Sequence, residues 1–219
     1  MRVIVLNGWA ASERAWSLCR FKRERIFSYL EELDGLPDRF VESSAAPVVL
    51  VGWSMGGSYA LKLAVKYSNK IAGLVLVAAT PRMMEDKEAG WRGMSKRRLK
   101  AFEAAAKMLE GGGLFGPPEG KPNPYESDSD ENLARGLKYL EETDLRSSIE
   151  KFAASHPTLP VAIFQSERDG IVRPSNADFL ARTFANSSLT MIAGSEHALP
   201  IFIPEEIDRA VERIVATYV

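Results

Sequence analysis

Apolar residues along this chain fall into two alternating periods. Short apolar runs rich in branched residues occur within Arg2–Leu6, Val48–Gly52, Ile71–Ala79 and Pro160–Gln165, and Ser188–Ile192 (S-L-T-M-I) reads as the last strand. Runs of that length, with no polar position every second residue, predict strands buried on both faces of a parallel sheet. Between them the apolar residues recur at helical spacing. Ser58–Tyr67 presents Tyr59, Leu61, Leu63, Ala64 and Tyr67, and Asn176–Phe184 and Pro204 to about Thr217 read the same way. Near the start, Ser12 is expected to cap a helix that includes Trp16 and Leu18. A second helix is expected to carry Ile26, Phe27, Leu30 and Leu33 on one face and to end near Gly35-Leu36-Pro37. Residues 34–47 read as connection with at most a short element. Strand, helix and strand in the order 48–79 make a parallel β-α-β unit, so the fold class is α/β.

The alternation stops between residues 82 and 155. Met94–Leu109 is strongly helical (Leu99, Phe102, Ala105, Ala106, Leu109), Leu133–Leu140 is helical again, and Thr143–Arg146 begins another turn. Between the first two, Gly111–Asp130 is rich in Gly, Pro, Ser and acidic residues and predicts a mobile loop. A stretch this long exceeds an ordinary crossover between two strands. It predicts a helical lid, 82–155, inserted in a core made of 1–81 and 156–219.

Composition narrows the function classes. The chain has 219 residues and a formal net charge of −1, which gives no global reason to expect nucleic acid or membrane binding. Its one cysteine, Cys19, excludes an internal disulfide framework and reads as a packed thiol. The N-terminal run Val3–Leu6 is too short for a signal peptide, and no window approaches a membrane span, so a cytoplasmic protein is expected. No metal-ligand spacing, dinucleotide fingerprint or phosphate loop is present in the sequence, and no cofactor is expected.

The chemistry centres on Gly52-Trp53-Ser54-Met55-Gly56, a G-x-S-x-G between a predicted strand and a predicted helix. A serine on such a turn needs strained backbone and glycines where neighbouring elements close in. Serine is a weak nucleophile unless a base takes its proton and an acid orients that base. Of the two histidines, His197 follows the last predicted strand, whereas His156 lies near the end of the insert and reads as capping or packing. Asp169 follows the preceding strand, with Glu167 as a nearby rival. Ser54, Asp169 and His197 then occur in the order serine, acid, histidine, all at the carboxyl edge of the sheet. The turn Asn7-Gly8-Trp9-Ala10 after the first strand is the candidate second half of an oxyanion hole, with the N–H groups of Trp9 and Met55 as donors.

Several stretches resemble the α/β-hydrolase superfamily and, within it, the esterases that cleave the methyl ester of pimeloyl-acyl carrier protein. These are L-N-G-W at Leu6–Trp9, G-W-S-M-G-G at Gly52–Gly57, A-G-L-V-L-V-A-A-T-P at Ala72–Pro81, G-W-R-G at Gly90–Gly93 and G-L-K-Y-L-E-E-T-D-L-R at Gly136–Arg146. The resemblance implies Ser54, Asp169 and His197 as triad, Trp9 and Met55 as oxyanion donors, and Trp9 and Trp53 as substrate contacts. Asn7 stands where the family usually has histidine. The segment from Gly8 to Gly52 is shorter than the family pattern, and no strand is read inside it. A carrier protein is acidic, so the resemblance also gives a role to Arg92, Lys96, Arg97, Arg98, Lys100 and Lys107, set against the single acid Glu103. The alternatives are a solvated helix face there, a general short-chain esterase or thioesterase on the same fold, and a catalytically silent binding protein.

Overall fold

Successive strand residues enter two different apolar layers, which is why the strands read as unbroken hydrophobic runs. Val3, Val5, Val49, Val51, Val75 and Val77 join one layer, and Ile4, Leu6, Val48, Leu50, Leu74 and Leu76 the other. The computed structural model describes residues 1–108, 120–194 and 196–218. Residues 109–119, which include the first nine positions of the stretch expected to form a mobile loop, and residues 195 and 219 lie outside the described residues.

The strands are β1 (Arg2–Leu6), β2 (Arg25–Phe27), β3 (Val48–Trp53), β4 (Ile71–Val77), β5 (Val161–Ser166) and β6 (Ser187–Ile192). They form a six-stranded sheet in the order β2-β1-β3-β4-β5-β6, with every neighbouring pair parallel. The helices are α1 (Tyr29–Leu33), α2 (Leu36–Ser43), α3 (Met55–Lys66), α4 (Lys96–Met108), α5 (Asp130–Glu142), α6 (Arg146–Ser155), α7 (Pro174–Thr183), α8 (Leu199–Phe202) and α9 (Pro204–Ala216). One face of the sheet is covered by Leu199 and Ile201 of α8 and by Ile207, Val211 and Ile214 of α9. The other is covered by Leu61 and Leu63 of α3, Ile149 and Phe152 of α6, and Leu180 of α7. None of the described helices is long and apolar enough to cross a membrane.

Three expectations near the N-terminus are corrected. Ile26 and Phe27 lie in β2, not on a helix face with Leu30 and Leu33: the open edge of β1 offers ladder partners, and Leu6 pairs with Phe27. The helix starts only after Ser28, whose hydroxyl and the Glu31 carboxylate form a reciprocal capping box. A strand therefore does exist in the short segment between Gly8 and Gly52. Ser12 caps only a 3-10 turn, Glu13–Trp16, without a side-chain cap bond. Leu18 lies beyond that turn and is exposed. Cys19 is in no helix but is buried as expected, with its Sγ 3.7 Å from the Pro200 carbonyl. Burial pushes its thiol up to about 12, so it stays neutral and unreactive.

Glu32 on α1 is fully buried, and among the described residues neither carboxylate oxygen has a hydrogen-bond partner at bonding distance. Burial, reinforced by Glu31, holds its carboxyl well above the usual range; the nearby backbone N–H of Asn7 and the Lys62 ammonium pull the other way without forming a bond of ordinary geometry. A carboxyl whose pKa is higher folded than unfolded stabilises the fold below the unfolded value, and that stability is lost as pH rises toward the folded value. Glu32→Gln is neutral at every pH. Its melting temperature should match the wild type near pH 4 and exceed it at pH 8. Melting curves at the two pH values check this, and an equal difference at both would be the contrary result.

Candidate active site

The turn between β3 and α3 is strained. Ser54 has φ 56° and ψ −117°, a positive φ that is uncommon in a non-glycine residue. Its N–H donates to the Val77 carbonyl of β4 at 2.9 Å, and its own carbonyl accepts from Gly57 and Ser58 at 3.0 and 3.2 Å. Both glycines of the motif are dictated by close approach. A Cβ on Gly52 would lie 2.5 Å from the Gly56 carbonyl oxygen, and one on Gly56 would lie 2.2 Å from that of Leu6. The bend thrusts the Ser54 side chain out of the sheet edge while the neighbouring Met55 stays fully buried.

His197, on the loop after β6, meets that side chain. Its Nε2 is 2.9 Å from Ser54 Oγ and its Nδ1 is 2.8 Å from Asp169 Oδ2. Asp169 is 5% exposed and fully enclosed by donors. Its Oδ1 accepts from the N–H groups of Ile171 and Val172 at 2.7 and 3.1 Å, and its Oδ2 accepts from Gln165 Nε2 at 3.1 Å as well as from His197. With every lone pair of Asp169 directed at a donor, the imidazole proton sits on Nδ1, and Nε2 is left to accept from Ser54. Glu167, the rival acid, is exposed. His156 ends α6, stacked on Phe152 with ring centroids 4.6 Å apart.

Residues not singled out by the sequence hold this chain in place. Gln165 also donates to the Val172 carbonyl at 3.1 Å, closing the acid's turn from below. Ser166 donates to the Glu196 carbonyl at 2.5 Å, tying the end of β5 to the histidine loop. Trp53, expected as a substrate contact, is 1% exposed. Its indole N–H donates to the His197 carbonyl at 2.9 Å, so it sits beneath the base. The signal for Gln165 and Ser166 was weak: polar residues ending a buried strand are common wherever a strand reaches a site.

On the other side of Ser54, Asn7 is 1% exposed and works as a fork. Its Oδ1 accepts from the Gly8 N–H at 3.1 Å and from the Trp16 indole at 3.2 Å, while its Nδ2 donates to the Ala11 carbonyl at 3.0 Å. Asn7 thus folds the 8–11 turn back on itself, with Ala10 at φ 52°. Among the described residues, the N–H groups of Trp9 and Met55 donate to no protein acceptor, and both residues belong to one buried cluster with Leu133 and Leu137 of α5. One of these N–H groups adjoins Ser54 in the chain and the other lies on the turn after β1, and unspent N–H groups of this kind are what a developing oxyanion requires.

The basic side chains sit at the surface. Arg92, Lys96, Arg97, Arg98 and Lys100 are all exposed. Lys96 pairs with Glu141 at 3.5 Å, and Arg98 donates to the Gly170 carbonyl beside Asp169. The Lys107 side chain lies outside what the structure describes.

Comparison with known proteins places this geometry. Residues 3–210 match the family model described as "Alpha/beta hydrolase family". The pimeloyl-[acyl-carrier protein] methyl ester esterase of Nitrosospira multiformis is 25% identical, with 93% of this chain and 90% of that one aligned. The enzyme of the same name from Vibrio vulnificus is 24% identical, over 93% and 89%. Among solved structures, an esterase from Exiguobacterium antarcticum superposes with a TM-score of 0.71 at 17% identity, covering 100% of this chain and 92% of that one.

Proposed function

The chain belongs to the alpha/beta hydrolase family, and from that premise we propose that it is a serine carboxylesterase whose substrate is the methyl ester of a pimeloyl chain on acyl carrier protein. The observation that carries the esterase reading is the continuous chain Asp169–His197–Ser54, with spacings of 2.8 and 2.9 Å, ending on a serine held at positive φ. The similarity to the two methyl ester esterases supports the choice of substrate.

The proposed reaction follows from the atoms. Ser54 Oγ bonds to the ester carbonyl carbon while its proton passes to His197 Nε2. The carbonyl oxygen takes the negative charge and lies against the N–H groups of Trp9 and Met55. The C–O bond to the alkoxide then breaks, His197 returns the proton, and methanol leaves. Water repeats the sequence on the acyl-enzyme and frees the acid and Ser54. Asp169 keeps the Nδ1 proton in place and stabilises the imidazolium. In this reading residues 82–155 are the lid over the serine, and the exposed cations from Arg92 to Lys100 receive the acidic carrier.

Carrier-borne pimeloyl methyl ester and a short p-nitrophenyl ester, each assayed at low and high salt, test the substrate. The expected result is hydrolysis of the carrier-borne ester with KM rising about tenfold between low and several-hundred-millimolar salt, because a docking charge exposed to solvent is screened over about 10 Å at 0.1 M. The p-nitrophenyl ester should change little. Hydrolysis of the p-nitrophenyl ester alone would leave a general esterase and remove the carrier from the reading.

A further inference from the structure

The turn that carries Trp9 is fastened from two directions. From the core, Asn7 bonds Gly8 and Ala11. From the segment between β4 and β5, the fastening is more extensive. The Ser12 N–H donates to the Pro124 carbonyl at 2.9 Å and the Glu126 N–H donates to the Ala10 carbonyl at 3.0 Å, an antiparallel bridge centred on Ala11 and Tyr125. The Trp9 indole N–H donates to the Leu133 carbonyl on α5 at 2.9 Å in a buried setting. The indole packs against Phe102 of α4 with centroids 5.1 Å apart. Tyr29 of α1 donates to Asp128, just before α5.

Gly136 is the closest point of this contact. A Cβ there would lie 2.4 Å from Trp9 Cδ1 and 2.8 Å from Nε1. Glycine in the middle of a helix is destabilising relative to alanine. Its presence at the centre of α5 therefore goes against helix propensity and follows from the need to let the indole approach the helix backbone closely.

We infer that Gly136 is a positioning residue of the oxyanion site: α5 seats the Trp9 indole, and through it sets where the Trp9 N–H points. The inference rests on the serine-esterase reading. It makes the inserted segment a structural part of the reacting centre, so that displacing α5 would also disassemble one of the two donors.

The test is a double-mutant cycle on p-nitrophenyl ester hydrolysis with fluorophosphonate labelling of Ser54 alongside. Gly136→Ala is expected to lower kcat about 10- to 100-fold with KM within about threefold, somewhat less than the loss of a donor outright. Trp9→Ala keeps the backbone N–H but removes the ring that the new methyl meets most closely, leaving the looser approach to Tyr29 Cδ2 at 3.1 Å. In that background Gly136→Ala should change kcat by less than about threefold, because the two residues act through one contact. A kcat for Gly136→Ala within threefold of wild type, or the same loss in both backgrounds, would overturn the inference while labelled wild type upholds the nucleophile. Wild type that takes no label would overturn the nucleophile reading, and this inference with it. If Gly136→Ala does not fold, Trp9→Phe decides: it keeps an aromatic ring but removes the pyrrole edge that meets Gly136 and the N–H aimed at Leu133, and it should lower kcat severalfold with labelling retained, whereas an unchanged kcat would be the contrary result.

Discussion

Replacing Ser54 by alanine is expected to lower turnover of every ester the protein accepts by on the order of 10⁴-fold or more, with the fold intact. The loss is large because the hydroxyl is the atom that forms the acyl bond, and no other hydroxyl is described within reach of His197 Nε2, which is 2.9 Å from Ser54 Oγ. Some rate above the uncatalysed reaction should survive, since binding and the oxyanion donors remain. Stability should barely change: alanine must adopt the same positive φ, and the bonds that fix the turn are made by the Ser54 backbone, to Val77, Gly57 and Ser58. Turnover and fluorophosphonate labelling of the two proteins, with melting curves as the folding control, decide it. Activity within tenfold of wild type would mean that Ser54 is not the nucleophile.

Asp169→Asn should cost about 10³- to 10⁴-fold in kcat, through a proton on the wrong nitrogen. The environment dictates the orientation of the new amide. The Ile171 and Val172 N–H groups, at 2.7 and 3.1 Å, require an acceptor at the Oδ1 position, so the carbonyl oxygen of asparagine stays there. Its NH₂ group then faces His197 Nδ1, which must accept. The imidazole proton moves to Nε2, where it blocks acceptance from Ser54. Gln165 now points a donor at a donor and can answer only by turning its amide over, which gives up its bond to the Val172 carbonyl. Kinetics on the p-nitrophenyl ester measure the loss, and a change below tenfold would remove Asp169 from the relay.

Much of this was legible in the chain because local patterns and tertiary environment agree. The runs at residues 3–6, 48–52 and 71–79 carry no charged or polar side chain because both faces of the sheet are covered. The Ser54 turn is legible because two glycines and a flanking strand and helix are needed together to fit a Cβ-free crossing. Where the chain misled, a tertiary partner overrode a local period. Ile26 and Phe27 sit at helical spacing from Leu30, but the free edge of β1 captured them as a three-residue strand. Asn7, Gln165 and Ser166 are invisible to periodicity because each acts through a hydrogen bond to a residue distant along the chain or to a backbone group. Gly136 reads in sequence as a flaw in a helix, and only the indole beside it gives the reason.

The stretch from Val77 to Val161 leaves and re-enters the sheet between two strands that pair directly, β4 and β5. Closing such a loop costs entropy that grows only with the logarithm of its length, about 0.6 kcal/mol for each doubling. The β4–β5 ladder is therefore almost indifferent to how many residues lie between its two strands. Selection can lengthen, trim or rewrite this excursion at small thermodynamic penalty, provided that the stitches to Ala10, Ser12 and Trp9 are kept. Relatives with new acyl preferences should then differ first in this excursion and last in the residues that clasp the first turn.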